Sequence, residues 1–334
     1  MLQAFLCKFF AKVFYPTNSK DWYKSKEYRG ADNNARFADF MLTQRTKGAL
    51  FYKEFLSLQL TRQYIISGDN QLDSVLVTPD QNISRDKAGS GLYFIMFYGK
   101  GEYYESRFRD MARQAKATGA SVLSFNHKGM HCSSGETSCL AALVDDGIAV
   151  VEFLLQRGVH HEQIILQGNS LGAGIQAMVS ERYRVMNGFS LRQINSNSFK
   201  SLSAVIANRY KVTFLERFFD VVLNYAGWEI VPDSDFYRTG PYRCHLRRLG
   251  DKTILPSAEY HIMVDFEADQ LRCPDAYKIT HKWLYEHNQL TYIGKSEEDP
   301  HELGLHHFYI KNDSGEYFSV YDLINRYLLS FKVT

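Results

Sequence analysis

Ser170 stands in Gly168-Asn169-Ser170-Leu171-Gly172, between an apolar run, Gln163 to Gln167, and a small-residue stretch, Ala173 to Val179. The first segment predicts a buried strand and the second the start of a helix. Strand, then G-x-S-x-G, then helix is the setting of a nucleophile elbow. On so tight a turn the neighbours of the serine must be small. The turn lifts Ser170 Oγ out of the sheet, and the helix behind it offers unbonded N–H groups and the positive end of a dipole. The plainer alternative is a Gly/Ser turn that only joins a strand to a helix.

A serine hydroxyl is a weak nucleophile at neutral pH and needs a base, itself oriented by an acid. In folds built around a nucleophile elbow these follow the serine in chain order, acid and then base, on loops behind later strands. The apolar run Tyr260 to Phe266 predicts the acid-bearing strand, with Asp265, Glu267 and Asp269 at its end. Asp269 lies beyond the strand, where a loop carboxylate can turn toward the cleft, and is the preferred acid. Asp265 and Glu267 are the reserves. The base should follow a last strand at Tyr292 to Gly294. His301, in Asp299-Pro300-His301-Glu302, fits that place, with His306 and His307 as rivals. An oxyanion hole needs backbone donors. Leu171 N–H is one, and the Gly99-Lys100-Gly101 loop offers Lys100 N–H as the second, because glycine lets the backbone approach a substrate closely.

Around these residues the chain alternates strands and helices. Leu58 to Ile66 and Leu72 to Thr78 flank a Gly68-Asp69-Asn70 turn and predict a hairpin. Leu92 to Tyr98, Ser121 to Phe125 and Phe189 to Asn195 predict buried strands, with a further strand at Ala204 to Ile206. Helices are expected at Tyr104 to Ala117, at Phe214 to Ala226, at Tyr277 to His287 and at Leu323 to Leu329. A further helix has Val144, Ile148, Val151 and Leu155 on one face. This pattern calls for a mainly parallel sheet with helices on both sides. Residues 1 to 57 form an N-terminal helical extension and residues 58 to 334 the main domain. Residues 208 to 255, rich in Arg, Phe and Tyr, are expected to cap the cleft.

The 334 residues are 45% hydrophobic and 23% charged, with a net charge of +2, which gives no electrostatic case for nucleic-acid binding. Five cysteines, an odd number with no C-x-x-C pair, argue against a disulfide framework or a zinc site, and no cofactor is expected. Leu2, Phe5, Leu6, Phe9, Phe10, Val13 and Phe14 recur at helical spacing around Lys8 and Lys12. That segment makes a poor signal peptide and is too short to span a membrane. Docking on the protein's own core is the preferred reading, with a membrane surface or a partner as the alternatives. A cytoplasmic location is expected, with delivery to a host cell as the alternative.

Tyr98 to Gly101, then Phe125-Asn126-His127-Lys128-Gly129-Met130-His131-Cys132-Ser133-Ser134-Gly135, then Gly168 to Gly172 resemble the α/β-hydrolase superfamily. The middle stretch is similar to that superfamily's DYRGxGxSxG loop, with Asn126 where Asp is usual and His127-Lys128 in place of Tyr-Arg. Within it, Gly101-Glu102-Tyr103-Tyr104-Glu105, Leu143 to Gly147 and Ser196-Asn197-Ser198-Phe199 resemble a bacterial branch related to chlamydial CHLPS-type proteins and Legionella SidB-type effectors. The resemblance implies the α/β-hydrolase fold, a Ser–His–Asp triad and acyl-group hydrolysis of a small-molecule or lipid ester. Thioesterases, peptidases and non-catalytic partner- or membrane-binding members share the fold and stand as alternatives.

Overall fold

The computed structural model describes residues 2–14, 57–231, 243–246, 290–292, 308–311 and 317–329. The hairpin forms as expected. Strand β1 (Leu58–Ser67) pairs antiparallel with β2 (Asn70–Pro79), and Ser67 faces Asn70 across the Gly68-Asp69 turn. Five further strands follow: β3 (Tyr93–Phe97), β4 (Ser121–Phe125), β5 (Ile164–Asn169), β6 (Arg192–Ser196) and β7 (Arg243–Leu246). They complete a seven-stranded sheet of order β1-β2-β4-β3-β5-β6-β7. The pairs from β4 to β7 are all parallel, and β2 runs antiparallel to β4. This strand order, with one antiparallel strand next to the edge and helical crossovers between the parallel strands, is the α/β-hydrolase arrangement. A separate three-stranded antiparallel sheet holds β8 (Leu290–Tyr292), β9 (Phe308–Lys311) and β10 (Tyr317–Ser319).

Alternation along β3 shows why the sheet is covered on both faces. Ile95 and Phe97 join one core, and Phe94 and Met96 join the other. The first core is built with helices α3 (Leu140–Gln156), α4 (Leu171–Asn187), α5 (Leu202–Arg209) and α6 (Glu216–Ala226). The second is covered by α2 (Phe108–Thr118) and α7 (Val320–Leu329), through Phe108, Met111 and Ala115 and through Leu323, Ile324 and Tyr327. A strand with large apolar groups on both sides has no solvent face, so its sequence reads as a continuous apolar run.

Three expectations need correction. Ala204 to Ile206 is helical, not extended, because Ser201 caps α5: its Oγ accepts from Ala204 N–H at 3.1 Å. The buried face of α3 is Leu143, Val144, Gly147, Val150, Val151 and Leu154, turned from the expected stripe, so Ile148 and Leu155 are only half-buried. The strand near Tyr292 lies in the small antiparallel sheet and does not extend the parallel one. The segment Tyr260 to Phe266 lies outside the described residues.

The first helix, α1 (Leu2–Phe14), packs on this core. Phe14 lies with its ring centroid 5.7 Å from that of Trp228. Trp228 Nε1 donates to Cys7 O at 3.0 Å, Cys7 Sγ donates to Ala226 O at 2.9 Å, and Gln3 Nε2 donates to Tyr225 O at 3.0 Å. The indole of Trp228 is fully buried, so its N–H needs such a partner.

Candidate active site

The carboxyl ends of β3 and β5 lie side by side. The chain leaves β3 toward β4 on one side and leaves β5 toward β6 on the other. Loops diverging in this way open a crevice at the switch point of the sheet, where α/β folds place their ligands. Ser170 sits there, half-exposed, between the last residue of β5 and the first of α4.

Its backbone has φ 52° and ψ −122°, a conformation that costs a non-glycine residue about 1–3 kcal/mol. The surroundings enforce it. A Cβ on Gly172 would lie 2.3 Å from the Phe97 carbonyl oxygen, and one on Gly168 would lie 2.5 Å from Ala173 Cα. Both positions are therefore closed to any side chain, and the elbow is pressed against the end of β3. Ser170 N–H donates to Ser196 O at 3.0 Å, which ties the turn to β6. Leu171 opens α4, so its N–H has no acceptor within the helix.

The loop after β3 is equally fixed. Glu102 N–H donates to Gly99 O at 3.2 Å, closing a turn whose third residue, Gly101, has φ 73°. That is the type II pattern, in which the second residue's N–H has no acceptor inside the turn. The second residue is Lys100, whose side chain is exposed. A Cβ on Gly99 would lie 3.5 Å from Ser170 Cβ, so this loop walls Ser170 directly.

Glu102 is the residue that sequence reasoning missed as part of this wall. Its Oε2 accepts from Gly99 N–H at 2.9 Å, while Oε1 pairs with Arg107, which also reaches Asp110. The carboxylate thus consumes the Gly99 N–H and fixes the turn that presents Lys100 N–H. Its three-residue separation from Gly99 was the available signal.

The remaining motif residues lock the neighbouring loops. Tyr104 OH donates to Asp73 Oδ2 at 2.9 Å, and Arg62 Nε pairs with the other oxygen of Asp73 at 2.7 Å. Asn126 Nδ2 donates to Glu105 at 3.0 and 3.2 Å, while its Oδ1 accepts from Tyr104 N–H. This explains Asn126 in place of the usual Asp: an aspartate here would set two buried carboxylates against each other. Burial pushes the Glu105 carboxyl up to about 8, against a smaller opposing effect of the Asn126 bond. Asp146, fully buried on α3, holds the loop after β4. It accepts from Ser67 Oγ at 2.8 Å and from Lys128 N–H at 3.0 Å, meets Lys128 Nζ at 3.0 Å and lies 3.2 Å from His127 Nδ1. Burial alone would raise its carboxyl; the His127, Lys128 and Ser67 contacts outweigh that and hold it below the ordinary aspartate value. His131, beside the Tyr103 ring at 4.1 Å, is pushed down to about 4 by burial.

At the ends of β5 and β6, Asn169 Oδ1, Ser196 Oγ, Ser198 Oγ and both polar atoms of the Asn197 side chain are buried without a hydrogen-bond partner among the described residues. Asn197 also has a positive φ of 52°. Asp265, Glu267, Asp269, His301, His306 and His307 lie outside the described residues. Ser170, Leu171 and Lys100 are the sequence-predicted site residues that the described structure brings together. Among the described residues, no group of three His, Cys, Asp or Glu side chains could hold a metal ion.

Residues 82–235, somewhat less than half of the chain, match the family described as Chlamydia CHLPS protein (DUF818). No curated protein matches the sequence. Among solved structures, an esterase from Pyrococcus furiosus is similar at 14% identity, over 66% of this chain and 81% of that one, with a TM-score of 0.45. The carboxylesterase EstE1, cloned from a metagenomic library, is similar at 13% identity over 63% and 86%, with a TM-score of 0.41. The chain spans 55% and 64% of two variants of the esterase E40, each at 16% identity, with TM-scores of 0.38 and 0.41. The fold rests on its own strand order.

Proposed function

We propose that this chain is a serine hydrolase that cleaves a carboxylic ester through an acyl-enzyme on Ser170. The observation that carries the reading is the strained Ser170 backbone, wedged between β3 and β6 with no room for a side chain at Gly168 or Gly172. Strain of this kind persists only where its surroundings over-determine it. In the reaction Ser170 Oγ attacks the ester carbonyl as His301 takes its proton. Asp269 orients the imidazole. Leu171 and Lys100 N–H groups receive the negative oxygen. His301 then returns the proton to the departing alcohol, and water, deprotonated by the same imidazole, releases the acid. The reserves for the base are His306 and His307, and those for the acid are Glu267 and Asp265. The unpaired polar groups of Asn169, Ser196, Asn197 and Ser198 supply donors and acceptors for polar parts of a substrate or for the loops bearing the acid and base.

A fluorophosphonate probe tests this without knowledge of the substrate, because it reacts with activated serines. The full chain is expected to label, and Ser170→Ala to lose labelling while its melting temperature stays unchanged. Labelling that survives in Ser170→Ala would refute the nucleophile. A wild-type chain that never labels, and never hydrolyses short p-nitrophenyl esters, would favour the non-catalytic alternative.

A further inference from the structure

The docking of α1 consumes only one of its faces. Ala11 and Phe14 are buried, while Leu2, Phe5 and Phe9 point away from the core, Phe5 at 65% and Phe9 at 50% exposure. The helix it touches, α6, repeats the arrangement. Leu223 and Ala226 are buried, but Phe218, Val221 and Tyr225 recur on the opposite side at helical spacing, and Phe214 precedes them in the preceding turn. Phe214 is 82% exposed and Phe218 60%. The two helices meet at the contact of Gln3 and Cys7 with Tyr225 and Ala226. A monomer rarely leaves so many large apolar groups in water on adjoining helices.

The fully exposed charges around them are cationic. Exposed Lys8 and Lys12 lie beside Phe5 and Phe9 on α1, which contains no acidic residue. Exposed Lys211 and Arg217 flank the α6 stripe. The two carboxylates of α6 are half-buried: Glu216 pairs with Lys200 at 2.9 Å, and Asp220 accepts from Asn224 at 2.9 Å, which leaves it a single negative charge beside the stripe. Interleaved lysines and phenylalanines do not suit a protein interface, whose buried centre is depleted in lysine. A second copy docked through the same face would bring two sets of these cations into one interface. Long cationic side chains beside aromatic anchors do suit an anionic bilayer surface, where the stems lie on the acyl chains and the ammonium groups reach the headgroups. Among the described residues no helix is long and apolar enough to cross a membrane, so the contact is one of lying on the surface.

We infer that α1 and α6 together form a docking face for an anionic lipid surface. The inference does not depend on the chemistry of Ser170. It is tested by sedimenting the full chain with vesicles of phosphatidylcholine alone and of phosphatidylcholine mixed with phosphatidylserine. The chain should sediment with the mixed vesicles and stay behind with the neutral ones. Phe5→Ser/Phe9→Ser and Phe214→Ser/Phe218→Ser should each reduce sedimentation, and Lys8→Glu/Lys12→Glu should lower the affinity at least roughly 25-fold, at about 5-fold per cation removed. Melting temperatures should hold, since all six side chains lie outside the core, so a lost interaction cannot be assigned to unfolding. The proposal falls if the wild-type chain ignores both vesicles, if only one helix's substitutions matter, or if neutral vesicles bind equally well. It also falls if analytical ultracentrifugation shows a dimer that the phenylalanine substitutions dissociate.

Discussion

Replacing Gly172 by alanine tests the elbow most directly. The added methyl would start 2.3 Å from the Phe97 carbonyl oxygen and 2.5 Å from that of Tyr98. Both obstacles are backbone atoms in β3 and its exit, so no side chain can rotate away. To reach even 3.0 Å, β3 and the start of α4 must part by about 0.7 Å. Overpacking of this kind costs about 1–3 kcal/mol. At roughly 2–4 °C per kcal/mol for a domain of this size, the melting temperature should fall by about 2–12 °C. The same displacement moves Ser170 and Leu171 N–H away from Lys100 N–H across the crevice. Misplacement approaching 1 Å costs about 100-fold in rate, so probe labelling should slow by one to two orders of magnitude in molecules that remain folded. Labelling kinetics below the melting transition separate the two effects. Wild-type labelling and stability in Gly172→Ala would refute the close contact between β3 and α4.

Glu102→Ala leaves Gly99 N–H without its acceptor and Arg107 with Asp110 alone, a loss of about 1.5–3 kcal/mol for a charge-assisted bond, and should slow labelling while Glu102→Gln retains part of the rate; equal rates in all three would show that the turn holds its shape unaided. Glu105 gives a pH signature: the unfolded chain releases this proton near pH 4.5 and the folded one only near 8, so stability should fall as pH rises through that window, by up to about 5 kcal/mol before structural relaxation. Glu105→Gln should flatten that slope in urea titrations at pH 5 and pH 8, and an unchanged slope would exclude Glu105 as its source. Phe14→Ala should cost about 3 kcal/mol in chemical denaturation because the ring is buried against Trp228; a loss below about 0.5 kcal/mol would mean that α1 contributes little to the fold.

The parts of this molecule legible in its sequence are those whose structure is dictated locally. The β3 and β5 runs, the Gly68-Asp69 hairpin and the elbow each carry their own signal, because burial on both faces or a tight turn restricts which residues can stand there. Where two forces compete, the sequence was ambiguous. Ala204 to Ile206 is apolar enough for a strand, and only the Ser201 cap decides for a helix. Strand β7, Arg-Cys-His-Leu, alternates polar and apolar over only four residues, too short a run to mark a strand, so its place beside β6 is set by sheet pairing. Asn126 looked like a departure from a motif until Glu105 was seen across from it. That pairing joins residues 21 apart, which no local pattern reports. The tight turns that carry Ser170 and Lys100 were legible in their glycines; the wall that Glu102 builds beside them was written only as a carboxylate three residues past a glycine.

The bond from Trp228 Nε1 to Cys7 O has a consequence for synthesis. Its partners are 221 residues apart in the chain. At about 5–20 residues per second, α1 leaves the ribosome roughly 10–40 s before the indole that seats it. Throughout that interval Phe14 and Phe10 have no groove to enter, although most of the parallel sheet has already been made. The nascent chain therefore passes through a stage in which its first helix is an adhesive tail, and chaperone capture at that stage would bear on α1 more than on any strand of the core.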